Sequence, residues 1–258
     1  MNITACQFRK LSELVSCRSG IYLTENKMSL LQARLAKRLR ALGVCSVEDY
    51  FRRLEKDEQE VVAFLDAVST NHTFFFRERS HFQWLDKQHL SIWCAASSSG
   101  EEPYSIAIHC LEKGFRPSIL ATDISTKVLA AGEKGIYEAA KSKHIPPNLL
   151  HRYFLKGVGS QDGYIRVKEG LRRMVSFKRF NLLTDRLPDH PFDVIFCRNA
   201  LIYFDRSVKE EVINKLYRAL KPSGYFIVGG AESLTNMRHP YCYVAPSVYR
   251  KPEGLEKA

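Results

Sequence analysis

Beyond about residue 90, short apolar runs alternate with helical stretches, and that alternation leaves few architectures open. Ser91–Ala96 reads as a strand, Pro103–Lys113 as a helix, and Ser118–Thr122 as a strand ending at Asp123. A helix follows over Lys127–Lys134, then an apolar run at Val175–Phe180 and a strand at Phe192–Cys197. Val208–Leu220 reads as a helix and Tyr225–Val228 as a strand. Strands separated by helices pair in parallel and need cover on both faces, which predicts an α/β fold.

Residues 1–80 have a different texture, with helical periodicity and almost no strand signal. Leu11, Leu14 and Val15 give one apolar stripe. Leu30, Leu31, Leu35, Leu39 and Leu42 give a second, closed by Gly43. Val61, Val62, Phe64, Leu65 and Val68 give a third. The expected division is an all-α domain over 1–80 and an α/β domain over 81–258. Within the latter, about 153–177 is rich in strand formers and has a turn signal around Gly159–Gly163, which predicts a small antiparallel β insert. Trp84 and Trp93 are assigned to the core, and the Gly254–Ala258 tail is expected to be disordered.

Nothing in the composition suggests a membrane span, and the N-terminus lacks a basic-then-apolar signal pattern, so a cytoplasmic protein is expected. Seven cysteines are scattered without a C-x-x-C pair, and eight histidines show no ligand spacing. The cysteines read as small buried side chains, and no metal site is expected. The net charge of +11 calls for an acidic partner without choosing among nucleic acid, an anionic membrane and a protein.

An open parallel sheet binds ligands beyond the carboxyl ends of its strands. After the first strand stands Ala95-Ala96-Ser97-Ser98-Ser99-Gly100-Glu101-Glu102-Pro103. Small residues let the backbone approach a ligand, and Pro103 suits a first helical turn. The loop is not G-x-G-x-x-G, and its glutamates would repel phosphate while favouring a cation. After the second strand, Asp123 sits where an acid holds a ribose diol; it could equally cap the helix that begins at Ser125. Loop and acid together point to a nucleoside without phosphates.

Three longer segments are more specific. They are Thr70-Asn71-His72-Thr73-Phe74-Phe75-Phe76-Arg77-Glu78, the stretch Trp93–Ser105, and Phe192–Asp205 with Cys197-Arg198-Asn199-Ala200-Leu201-Ile202-Tyr203. In order and spacing the chain resembles the CheR chemoreceptor methyltransferases over almost its whole length. The resemblance implies a Rossmann-like S-adenosylmethionine-dependent methyltransferase domain with a small antiparallel β insert, preceded by the all-α domain.

The resemblance also implies roles. Asn71, Thr73 and Arg77 would reach the methionine part of S-adenosylmethionine and the reaction centre, and Glu102 would face the methionine amino group. Asp123 would bind the ribose, and Asn181 and Leu182 the adenine. Arg198 and Asn199 would complete the pocket, with Tyr203 close to the transferred methyl; Arg77 and Tyr203 are the catalytic candidates. The basic helix carrying Arg34, Lys37, Arg38 and Arg40 would contact the cytoplasmic helical bundle of a chemoreceptor, where a solvated basic face is the plain alternative. The β insert is similar to the subdomain through which some members dock a receptor's C-terminal pentapeptide. The product would be S-adenosylhomocysteine, and neither nucleic acid nor membrane insertion is expected. A nucleic-acid methyltransferase is the alternative prompted by charge, but Asn199-Ala200-Leu201-Ile202 stands where its Asn/Asp-Pro-Pro-Tyr/Phe run would be.

Overall fold

The structure, a computed structural model, describes residues 3–88 and 91–253; the Gly254–Ala258 tail lies outside them. Four helices open the chain: α1 (Ala5–Ser19), α2 (Met28–Leu42), α3 (Val47–Lys56) and α4 (Glu58–Val68). A capping box starts α1, with Thr4 Oγ accepting from the Gln7 amide and the Gln7 side chain accepting from the Thr4 amide. Phe8, Leu11 and Val15 of α1, Leu31, Leu35 and Leu39 of α2, and Val61, Phe64, Leu65 and Val68 of α4 close one core. The sequence stripes did not reveal α3, because its buried face is only Val47, Tyr50 and Leu54 between charged residues.

A polar cluster braces these helices. Glu60 is only 4% exposed, and its carboxylate accepts from Arg38 Nε at 2.9 Å and from the Tyr50 hydroxyl at 2.6 Å. Arg38 was expected to face a substrate; its guanidinium is committed to Glu60 instead, since a buried carboxylate requires a partner. Arg34, Lys37 and Arg40 are exposed on α2.

The α/β part runs β1 (Ser91–Cys94), α5 (Glu101–Glu112), β2 (Ser118–Asp123), α6 (Thr126–Lys134) and β3 (Ile136–Glu138). It continues with α7 (Pro147–Tyr153), β4 (Phe154–Lys156), β5 (Tyr164–Val167), α8 (Glu169–Arg172) and β6 (Val175–Arg179). The last elements are β7 (Phe192–Cys197), α9 (Arg206–Arg218), β8 (Leu220–Val228), β9 (Cys242–Ala245) and β10 (Val248–Arg250). The main sheet has the order β6-β2-β1-β7-β8-β10-β9. It is parallel from β6 to β8, but β10 and β9 add to its edge antiparallel, so the sheet is mixed.

Alternation along the central strands explains why both faces are dry. Ile92, Cys94, Val194 and Phe196 point to the side covered by α5, where Ile106 and Ile108 join their cluster. Trp93, Ile195 and Cys197 point to the side covered by α9, with Val212, Ile213 and Leu216. Trp93 is fully buried and its indole N–H reaches Thr122 Oγ1 at 2.8 Å; Trp84 is partly buried at the core's edge.

The small sheet has the order β3-β5-β4, all antiparallel. Its first strand, Ile136–Glu138, comes from outside the 153–177 stretch, and the run at Val175–Arg179 joins the main sheet as β6. All seven cysteines are free; Cys94, Cys110 and Cys197 are buried, but Cys6, Cys17, Cys45 and Cys242 are exposed, contrary to the expectation of burial. Among the described residues no helix is long and apolar enough to cross a membrane.

Arg38→Ala removes the cation from a buried carboxylate and should cost about 2–4 kcal/mol, read as a lower thermal midpoint. Arg34→Ala, on the exposed side of the same helix, should leave the midpoint within about a degree or two.

Candidate active site

The carboxyl ends of β1, β2 and β7 open into one crevice, roofed by the helical part of the chain. Asn71, Thr73, Arg77, Glu102, Asp123, Asn181, Leu182, Arg198, Asn199 and Tyr203 all line it. The four α2 cations do not. Sequence reasoning missed the roof, which is Ile21, Tyr22 and Leu23 from the segment after α1 together with Lys27, Leu30 and Val68. Strand ends point only to the sheet's own loops, and a roof supplied by the helical segments that precede the first strand leaves no mark there.

Backbone shape sets the floor. The loop after β1 turns through Ser98 (φ 47°) and Gly100 (φ 93°) into α5. A Cβ at Gly100 would lie 3.0 Å from both the Gly132 Cα and the Phe177 ring, so glycine is required by space as well as by φ. Phe76, Glu78 and Asn199 also have positive φ. Non-glycine residues held this way cost of order 1–3 kcal/mol each and persist where the surroundings over-determine them.

The surroundings here are electrostatic. Arg198, whose side chain is 2% exposed, donates to Glu102 Oε2 at 3.0 Å, Glu78 Oε2 at 3.0 Å and the Arg77 carbonyl at 2.6 Å. Burial raises the Glu102 carboxyl above its ordinary range, and Arg198 and Cys94 only partly offset it. For Glu78 burial acts the same way but is outweighed by Arg198 and the Gly230 N–H, which leave it below the ordinary range. Arg77 is half-buried, donates to the His72 carbonyl at 3.0 Å and lies over the Phe74 ring.

Asp123 accepts from the Ser98 amide at 2.9 Å and the Ser125 amide at 3.0 Å, one on each oxygen. Burial nevertheless raises its carboxyl, with those amides opposing. The cap of α6 is Ser125, so Asp123 keeps lone pairs for a ligand. Asn181 gives its amide to the Arg18 carbonyl at 2.6 Å, joining its side of the crevice to α1. On the opposite wall the Tyr22 amide donates to the Tyr203 carbonyl at 2.7 Å, beside an antiparallel bridge between Ile21 and Phe204.

Two family models match the chain in sequence: "CheR methyltransferase, all-alpha domain" over residues 7–69 and "CheR methyltransferase, SAM binding domain" over 71–249. The chain belongs to the CheR methyltransferase family. A chemotaxis protein methyltransferase of Salmonella typhimurium is 37% identical over 96% of this chain and 90% of its own length. One from Pseudomonas aeruginosa is 39% identical over 94% and 91%, and one from Borreliella burgdorferi 35% over 97% and 96%.

This CheR-family chain binds S-adenosylmethionine, and the donor set fits that ligand. The N-terminus of α5, where a dinucleotide pyrophosphate would sit, carries Glu101 and Glu102; Glu101 is fully buried and paired with Lys141. Glu102, the one of the two that lines the crevice, disfavours phosphate there and favours a cationic amino acid moiety. Asp123 has the acceptor capacity for ribose hydroxyls.

Asp123→Ala should weaken binding of S-adenosylhomocysteine roughly 10- to 100-fold by calorimetry, as loss of hydrogen bonds to a charged group implies. Because burial raises both Asp123 and Glu102, each gives up its charge on acidification sooner than an exposed carboxylate. Affinity for S-adenosylmethionine should therefore fall on acidification at a higher pH than that at which the exposed carboxylates titrate.

Proposed function

We propose that this chain transfers the methyl group of S-adenosylmethionine to glutamate side chains of chemotaxis receptors in the cytoplasm, giving glutamyl methyl esters and S-adenosylhomocysteine. One observation carries the reading: ten side chains from segments spread over residues 71–203 converge on a single crevice that fits this cofactor, in a chain matched almost end to end by chemotaxis methyltransferases.

When bound, S-adenosylmethionine supplies a methyl group already activated by its sulfonium sulfur. A receptor glutamate is ionised near neutral pH, so the chain needs no general base. Its task is to strip water from that carboxylate and hold it in line. Ile21, Leu23, Leu30 and Val68 give the crevice a dry roof. Arg77, half-buried at the crevice wall, orients the carboxylate through a charge-assisted hydrogen bond, and Tyr203 offers a weaker one that blunts its nucleophilicity less. Asn71, Thr73, Arg198 and Asn199 shape the methionine end, and Asn181 and Leu182 the adenine end. Positioning alone can supply roughly 7–11 kcal/mol.

The helical domain, residues 1–80, is proposed to recognise the receptor bundle. Lys27 and Leu30 line the crevice, and Arg34 and Lys37 continue the same side of α2 in helical steps of three and four residues. That track leads away from the reaction centre and suits an acidic helix. Arg40 adds charge at the far end, while Arg38 serves through its hold on Glu60. The β insert is proposed to take a receptor's C-terminal pentapeptide by strand addition at β4, one of its two outer strands, beside exposed Leu155 and Val158.

Arg77→Ala should cut turnover about 100-fold or more while changing S-adenosylhomocysteine affinity by less than about threefold, the reverse of Asp123→Ala. Equal loss of cofactor affinity in both variants contradicts this division. Arg34→Glu with Lys37→Glu should lower methylation of receptor membranes about tenfold at low salt and spare cofactor affinity. Unchanged methylation refutes the track.

A further inference from the structure

The crevice wall that carries Tyr203 is held from behind by a residue outside the crevice. Glu232 lies in the turn after β8 and is 8% exposed. Its Oε2 accepts the amides of Asn199 and Gly229, both at 2.7 Å, and its Oε1 accepts the amide of Ile202 at 3.1 Å. These three donors are backbone N–H groups, and two of them belong to the short stretch that runs from the end of β7 into Tyr203. Within that stretch Asn199 has φ 57°, a left-handed conformation that asparagine adopts more readily than most non-glycine residues and that the carboxylate holds through the Asn199 amide. The carboxylate grips both ends of the turn, at 199 and 202, and so fixes the direction in which Tyr203 leaves it.

Gly229 completes the contact. A Cβ there would lie 2.5 Å from Asn199 Nδ2 and 2.9 Å from Glu232 Oε2, so any side chain at this position would displace the Asn199 amide group or the Glu232 carboxylate. A second carboxylate, Glu78, binds the next amide, Gly230, at 3.1 Å while pairing with Arg198. The turn after β8 is thus a bracket that joins both sides of the reaction end.

We infer that Glu232 is a positioning residue for methyl transfer, acting through the backbone of residues 199–202 on Tyr203. The inference rests on the reading of Tyr203 as a catalytic group. Glutamine tests it at nearly constant shape. Whichever way the amide is turned, its nitrogen faces at least one backbone N–H, so at least one of the three hydrogen bonds is lost.

E232Q, Y203F and the double variant are compared in the full chain for turnover with receptor membranes and for S-adenosylhomocysteine affinity by calorimetry. D193N serves as the stability control. Asp193 accepts from Ser91 and Lys221 at the opposite end of β7, so its loss lowers the thermal midpoint far from the crevice. The expected result is a fall in kcat on the order of 10²-fold for E232Q with cofactor affinity within about threefold, and little further loss on adding Y203F. Wild-type kcat in E232Q, kcat losses that multiply in the double variant, or an equal kcat loss in D193N at a matched drop in thermal midpoint would each overturn the role of Glu232 alone. Unaltered turnover in Y203F would overturn the catalytic reading of Tyr203 and this inference with it.

Discussion

The buried guanidinium of Arg198 is the interaction on which the rest of the site depends. It sits at the end of β7, in the middle of the sheet, and reaches Glu102 on α5, Glu78 and the Arg77 carbonyl. With β7 itself those partners tie three separate segments of the chain, residues 77–78, α5 and the end of β7, and the bonds are short, charge-assisted and out of water. In such surroundings removing one partner costs more than the pair contributes, so the three segments move together or not at all. The positive φ values of Phe76 and Glu78 are sustained by this anchorage. Arg77, between them, is aimed into the crevice because its neighbours on both sides are fixed.

Around that anchor the crevice is a product of both parts of the chain. Asn181 holds the Arg18 carbonyl, Tyr22 holds the Tyr203 carbonyl, and Asp66 accepts from both the amide and the hydroxyl of Thr126. Three stitches around one opening explain why a small helical bundle, with a core of its own, is also a wall of the cofactor site. The charge distribution follows the same division. Carboxylates collect in the interior beside the cationic cofactor, whereas exposed cations collect on α2, on the side that leads away from it.

Much of this was legible in the sequence. The alternation after residue 90 gave the order of β1, α5, β2, α6 and β7 because helices and buried strands differ in length and period. The strand-end rule then pointed to the loop carrying Glu102 and to Asp123, and the family resemblance added Asn181 and Arg198; all four share one crevice. What stayed hidden was tertiary. Arg38 looks like its exposed neighbours Arg34 and Lys37 until Glu60 is brought against it from α4. The β3 strand at Ile136–Glu138 is too short to mark itself, and its partner lies beyond α7. Glu232 carries no local signal at all, since its role comes from three amides, two of which lie thirty residues or more away.

Chemistry at the receptor distinguishes this account from its rival more sharply than structure does, because a glutamyl methyl ester is cleaved by mild alkali whereas methylated nucleobase nitrogen is not. Receptor-containing membranes and nucleic acid are each offered S-adenosylmethionine labelled in the methyl group, then treated with alkali. Label on the receptor that leaves as volatile methanol is the predicted result. Alkali-stable label, or label carried by the nucleic acid, would contradict it.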